Sequence, residues 1–150
     1  MDMYGKTGVV TGDVAKVVDD VINYVGKEIR FSTPLGLGKP MLFINELYRR
    51  AKEDPSIKLT IITAISFEKP RGKSELERRL VDPLIERIFG GVPELDYMTD
   101  LMQGKLPSNV ELREFYSKAG SMIGIPSQQM NHLPSNYTHI ARDCYWHQQA

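Results

Sequence analysis

Residues 28–67 read EIRFSTPLGLGKPMLFINELYRRAKEDPSIKLTIITAISF, and the order of signals within them decides the fold class. Glu28 to Thr33 is short and alternating, which predicts a strand. Pro34 ends it, and Leu35-Gly36-Leu37-Gly38-Lys39 reads as a loop. Pro40 suits the first turn of a helix, where its missing N–H costs nothing. Met41 to Lys52 continue that helix, with Leu42, Phe43, Leu47 and Ala51 among its apolar positions, and Asp54-Pro55 breaks it. Residues 57–67 are rich in β-branched side chains and nearly continuous in apolar character, the mark of a strand buried on both faces of a parallel sheet. Strand, glycine-containing turn, helix and strand make a βαβ unit, so the expected class is α/β, an open and mostly parallel sheet with flanking helices.

Upstream, Val14, Val17, Val18, Val21, Ile22 and Val25 recur at three- and four-residue spacing, which predicts a helix with Asp13 as N-cap and Gly26 as its stop. Downstream, Ser74 with Glu77 forms a capping box that opens another helix. Pro83 lies inside that apolar pattern, so the helix is expected to kink or to restart there with Asp82 as cap. Leu84, Ile85 and Ile88 are expected to carry its core face onward, and Gly90-Gly91 ends it. Residues 94–103 read as a short helix. Ser108 with Glu111 has the form of a second capping box, predicting a helix to about Ala119. After Gly120 the chain reads as irregular and polar. Two strands are too few for a free-standing sheet. Either further strands lie in the second half, or the rest of the sheet lies in sequence beyond this chain.

The 150 residues fit one domain, expected to span 1–150. With 41% hydrophobic and 25% charged residues, the chain has the composition of a folded globular domain. Nineteen basic residues balance nineteen acidic ones, and no basic patch stands out, which argues against nucleic acid or an anionic membrane as partner. The single cysteine, Cys144, cannot form an internal disulfide and fits a reducing compartment. The N-terminal residues have no apolar core of signal-peptide length. No apolar run approaches the roughly 20 residues of a membrane span. A cytoplasmic location is expected.

Two stretches carry candidate chemistry. Gly36-x-Gly38-x-Pro40 lies between a strand and a helix N-terminus, where glycines allow close approach of a ligand and free N–H groups favour an anion. Lys39 adds a positive charge. The dinucleotide fingerprint fails because Met41 stands where a third glycine is required, and the P-loop fails for want of Gly-Lys-Ser/Thr. A tight strand–helix turn accounts for the same glycines. The second stretch, residues 127–143, reads SQQMNHLPSNYTHIARD and is dense in hydrogen-bonding side chains. Such a stretch lines a pocket or forms a surface loop whose Asn and Ser serve turns. His132, His139, Cys144 and His147 match no paired zinc-ligand spacing, so no metal site is expected. Cys144 near His139 or His147 is a nucleophile candidate in principle, against the alternative of a small buried hydrophobe. Ser135 has no glycine elbow. Glu46, Glu53, Glu68, Glu75, Glu77 and Glu86 have basic neighbours and read as solvated faces.

Thr33-Pro34-Leu35-Gly36-Leu37-Gly38-Lys39-Pro40 before a helix, together with Asn131-His132-x-x-Ser135-Asn136-Tyr137-Thr138-His139-x-Ala141-Arg142-Asp143, resembles the N-terminal domain of the acetyl-CoA hydrolase/transferase (coenzyme A transferase) family. The resemblance runs from about Asp13 to Asp143, and the second stretch is its more specific part. Gly38 and Pro40 match the family's Gly-x-Pro turn. Ser32-Thr33 stands where many relatives carry a glycine pair. The resemblance implies two similar open-sheet domains and a catalytic glutamate that attacks an acyl-CoA thioester. An acyl-glutamyl anhydride and then a glutamyl-CoA thioester follow, and a carboxylate or water completes the reaction. In the family that glutamate lies in the C-terminal half, so the resemblance implies no catalytic residue in this chain. It points to Gly36, Gly38, Asn131, His132 and Asn136 as residues lining the acyl or carboxylate side of the cleft. Acyl-CoA and a small carboxylate are the implied partners, with coenzyme A as substrate and no covalently bound cofactor.

Three functions are therefore expected in competition: the first domain of a CoA transferase or acetyl-CoA hydrolase, a non-catalytic module binding a small carboxylate or acyl-CoA, and a cysteine or metal enzyme built on His139, Cys144 and His147. An incomplete sheet would leave an exposed half-interface and favour a homodimer.

Overall fold

A computed structural model describes residues 11–116, 118–120, 122–140 and 142. The elements run α1 (Val14–Val25), β1 (Glu28–Thr33), a 3-10 turn (Gly36–Gly38), α2 (Met41–Glu53), β2 (Lys58–Thr63), α3 (Glu75–Phe89), α4 (Asp96–Met102), β3 (Val110–Glu114) and α5 (Pro126–Met130). The three strands form one open parallel sheet in the order β1-β2-β3, with helices flanking it. This is an α/β fold.

The register builds the sheet in rows. Ile29, Leu59 and Val110 lie side by side, as do Phe31, Ile61 and Leu112, and then Thr33, Thr63 and Glu114. Side chains alternate between faces, so all three rows share one face. The first two rows are apolar and join Ile44, Leu47, Tyr48 and Ala51 of α2, Val18 of α1 and Tyr97, Met98 and Leu101 of α4 in a single core. Each fully buried aliphatic chain contributes about 1.5–3 kcal/mol. Tyr48 and Tyr97 meet edge to face at 6.3 Å, and the Tyr48 hydroxyl donates to Asp100 at 2.7 Å, which ties α2 to α4. The opposite face carries Arg30, Thr60 and Glu111 in one row and Ser32, Ile62 and Arg113 in the next. Burial on both faces therefore holds for β2, where Ile61 and Ile62 are both buried, and not for its two neighbours.

Several local expectations hold for visible reasons. Asp13 caps α1 by accepting from the Lys16 N–H at 3.1 Å. The Ser74–Glu77 capping box is present in both directions. Asp54 ends α2 and is held by Lys27 at 2.8 Å.

Three expectations are corrected. Residues 108–119 do not begin a helix: Val110–Glu114 is β3, and Ser108-Asn109 is the turn before it. Val110, Leu112 and Glu114 alternate buried with half-buried neighbours, a period of two. The Asn109 side chain donates to the Ala51 and Ile57 carbonyls, both at 2.8 Å, and fixes the strand's entry. Pairing with β2 thus overrides a local sequence that mimics a cap. Next, of the two outcomes expected at Pro83 the restart at Asp82 does not occur, since α3 runs unbroken through it, where water can serve the carbonyl that proline leaves unbonded; nor do Leu84 and Ile88 reach the core, since both are exposed. Lastly, the segment after Gly120 is not wholly irregular, since Pro126 opens α5 at a position where it suits a helix start.

Truncating Leu112 to Ala should lower the unfolding free energy by about 2–5 kcal/mol, measured by urea denaturation. A loss no larger than that of an exposed side chain would contradict the placement of β3.

Candidate functional site

At the carboxyl ends of the strands the core-facing rows change from apolar to polar. Thr33, Thr63 and Glu114 stand in register there, and all three are buried. The carboxyl edge of an open parallel sheet is where α/β folds place ligands. The β1–α2 loop folds over this row. Its Lys39 is only 5% exposed. The ammonium donates to the Pro34 carbonyl at 2.6 Å and to the Thr63 hydroxyl. Burial lowers the Lys39 pKa from 10.5 to about 8, and the nearby Glu114 charge partly opposes that shift.

The loop geometry explains one of its glycines. Gly36 has φ +64°, the left-handed region in which a Cβ is disfavoured. Gly38 has an ordinary backbone, and an added Cβ would meet only Pro34 Cγ at 3.9 Å. Gly36 is half-buried and Gly38 exposed.

Glu114 is the most enclosed carboxylate among the described residues, at 1% exposure. Its Oε1 accepts from the Ser66 backbone N–H at 2.6 Å, and its Oε2 from Gln128 Nε2 at 3.3 Å. Burial raises its pKa, while hydrogen bonding from Ser66 and the Lys39 charge pull it back. Ser66 also shares a hydrogen bond with the Tyr97 hydroxyl at 2.9 Å. Burial pushes that phenol up as well. The Thr33 hydroxyl oxygen is buried without a partner among the described residues, an exception to the rule that enclosed polar atoms are satisfied.

The polar segment near the C-terminus reaches the same row from the β3 side. The Leu133 N–H donates to the Glu114 carbonyl at 2.9 Å. The Tyr137 ring stands edge-on to Phe115 at 5.4 Å. Asn131 follows α5 as its C-terminal cap and is half-buried. His132 is exposed. Asn136 caps a helical turn, its Oδ1 accepting from the Thr138 and His139 N–H groups at 3.0 Å, and its Nδ2 lies 3.3 Å from the His139 ring nitrogen.

A cavity of about 640 Å³ opens beside Glu114. The buried Ser66 and Glu114, the methionines Met98, Met102 and Met122, and Lys69 and Arg71 are among its lining residues. Gly36, Gly38, Asn131, His132 and Asn136 are not among the residues that line this cavity. Gly36 and Gly38 belong to the loop that positions Lys39, and the other three flank the strand that carries Glu114. Cys144 and His147 lie outside the described residues. Among the described residues, no group of three His, Cys, Asp or Glu side chains is placed to hold a metal ion, and no helix is long and apolar enough to cross a membrane.

Sequence reasoning missed Glu114, Ser66 and Tyr97, and reached Gln128 only as a member of the polar stretch. The available signal was the alternation Val110-x-Leu112-x-Glu114, which ends an apolar strand face on a carboxylate. Comparison with family models, with curated proteins and with solved structures finds no match to this chain.

Replacing Gly36 with Ala should cost about 1–2 kcal/mol because of its left-handed backbone, whereas Gly38→Ala should be close to neutral. Denaturant midpoints of the two variants check this. Lys39 adds a pH signature. Between about pH 8 and 10.5 the unfolded chain holds a proton on Lys39 that the folded chain has released. The Lys39 contribution to stability therefore rises with pH across that window. Lys39→Met should remove that rise in a pH series of urea denaturations. Glu114 acts in the opposite sense at the acid end: its raised pKa favours folding at low pH, and that contribution fades as pH climbs through the folded value.

Proposed function

We propose that this chain is the N-terminal part of an acyl-CoA:carboxylate CoA transferase or acetyl-CoA hydrolase. Catalysis runs through an acyl-glutamyl anhydride and a glutamyl-CoA thioester on a glutamate outside this chain. One observation carries the reading. The two stretches that resemble the family, far apart in sequence, converge on one row of residues. The glycine loop reaches that row through Lys39 on Thr63, and the polar segment reaches it through Leu133 on Glu114. That row lies at the carboxyl edge of a parallel sheet, which supports a ligand-facing role for both stretches. Glu114 is not assigned as the nucleophile, because both of its oxygens are engaged within the fold.

A second reading is supported by the cavity beside Glu114, which lies wholly within this chain. On that reading the domain binds a small carboxylate or an acyl-CoA without transforming it. Its methionine lining supplies adaptable apolar contact, and Lys69 and Arg71 supply positive charge.

The two readings separate on turnover. The transferase reading expects CoA exchange between acetyl-CoA and a panel of carboxylates from a longer gene product, and none from residues 1–150 alone. Borohydride should trap the glutamyl-CoA thioester in the longer protein. No exchange and no trapped thioester would overturn it. The binding-module reading expects a thermal shift of this chain with acetyl-CoA or a short carboxylate, and its absence across the panel would end that reading.

A further inference from the structure

Helix α3 has no buried residue along its length. Leu76 and Leu80 are each 79% exposed, Leu84 54% and Ile88 55%. Their four-residue spacing places them on one arc of the helix. The adjoining side carries Val81, Ile85 and Phe89, which are half-buried, and Phe89 meets Phe67 at 5.7 Å. The helix is thus tied to the chain at Phe89 and bare along the Leu76-Leu80-Leu84-Ile88 arc. A 15-residue helix draws little stability from propensity alone and relies on covering an apolar face. Four such side chains present on the order of 400 Å² of apolar surface, comparable to the largest patch on a typical monomer, which is often functional.

The pattern on that arc is symmetric about the level of Asp82. Leu76 and Ile88 stand equally far on either side of it, and so do Leu80 and Leu84. The same holds for Glu77 and Arg87, which fall within the arc and carry opposite charges. Glu77 Oε2 accepts from the Lys73 and Ser74 N–H groups at the helix start. Arg87 has no ion-pair partner among the described residues. When such a helix lies antiparallel on a copy of itself, each residue meets its counterpart at the same level. Leu76 faces Ile88, Leu80 faces Leu84, and Glu77 stands level with Arg87, each pair occurring twice. A parallel arrangement would instead set Glu77 beside Glu77 and Arg87 beside Arg87.

We propose that α3 is a self-association surface, and that its partner is α3 of a second copy of this chain, packed antiparallel about a twofold axis at the level of Asp82. The apolar stripe supplies attraction, and the Glu77–Arg87 levels select the orientation, as flanking charges do in paired helices. The closed symmetry stops assembly at two copies. Roughly 800 Å² of stripe surface over the pair, with the flanking side chains added, approaches the ~1,000 Å² of a specific interface, so the dimer is concentration-dependent rather than obligate. The surface rests on α3 alone and not on the enzymatic reading.

Sedimentation velocity over a concentration series tests it, on the wild type, on Leu80→Glu and on Leu80→Glu with Leu84→Lys. The wild type should move from the 17.0 kDa monomer toward twice that mass as concentration rises. Leu80→Glu should weaken association at least ten-fold while circular dichroism stays unchanged, because the side chain is exposed. The double variant should recover most of the loss, because each new glutamate then faces a lysine of the other copy. As an independent check in a Cys144→Ser background, a Leu80→Cys chain should cross-link to a Leu84→Cys chain faster than either does to itself. A wild type that stays monomeric at hundreds of micromolar would overturn the proposal. So would a folded double variant that does not recover association.

Discussion

The register of β2 between β1 and β3 is the constraint on which the rest of this molecule depends. Both neighbours are parallel and in step with it, so residues of like position share a row across three strands. Two apolar rows on the α2 side make a core with α1, α2 and α4. The next row, on the same face, is made of two threonines and a glutamate. A one-residue slip of either outer strand would turn its apolar residues to the opposite, charged face and its charged residues into the core. Core and candidate site are therefore set by one alignment.

The polar row is held at a cost. Lys39 is buried with a lowered pKa, Glu114 with a raised one, and Thr33 has a hydroxyl without a partner among the described residues. A fold seeking stability alone would extend the apolar rows to the strand ends. Titratable groups whose surroundings shift them in this way gather at functional sites, although structural ion networks shift pKa values too. Here the shifts coincide with a sheet edge, a cavity and the arrival of two chain segments. That coincidence makes the edge the candidate site.

The first half of the fold was legible in sequence because its determinants are local. Asp13 before an apolar helix, Pro34 after a strand and β-branched residues from Ile57 to Ile65 each announce an element without reference to distant residues. The β3 strand was hidden because Ser108 and Glu111 have the spacing of a cap, while the evidence for a strand lies in pairing with Leu59 to Thr63, far upstream. The site was half legible for the same reason. Lys39 is recognisable as the charged end of a glycine loop, but its partner Thr63 is assigned by register. Ser66, Tyr97, Glu114 and Gln128 come from four separate elements and loops, and no spacing links them. Asn136 was legible as a polar residue of a distinctive stretch, yet its side chain serves a helical turn.

The chain order of the strands also governs how the site comes into being during synthesis. β1, α2 and β2 are contiguous, so their pairing needs only a short loop to close once Thr63 has emerged. β3 joins after two more helices have been made, which places it among the slower, non-local contacts of the fold. Until then the β2 edge lies open, and Lys39 can meet Thr63 but not Glu114. A ribosome-bound chain would thus carry a two-strand sheet with the β2 edge still unpaired, the kind of surface that invites mispairing with another nascent chain. Arrival of Glu114 closes that edge and completes the polar row in a single event.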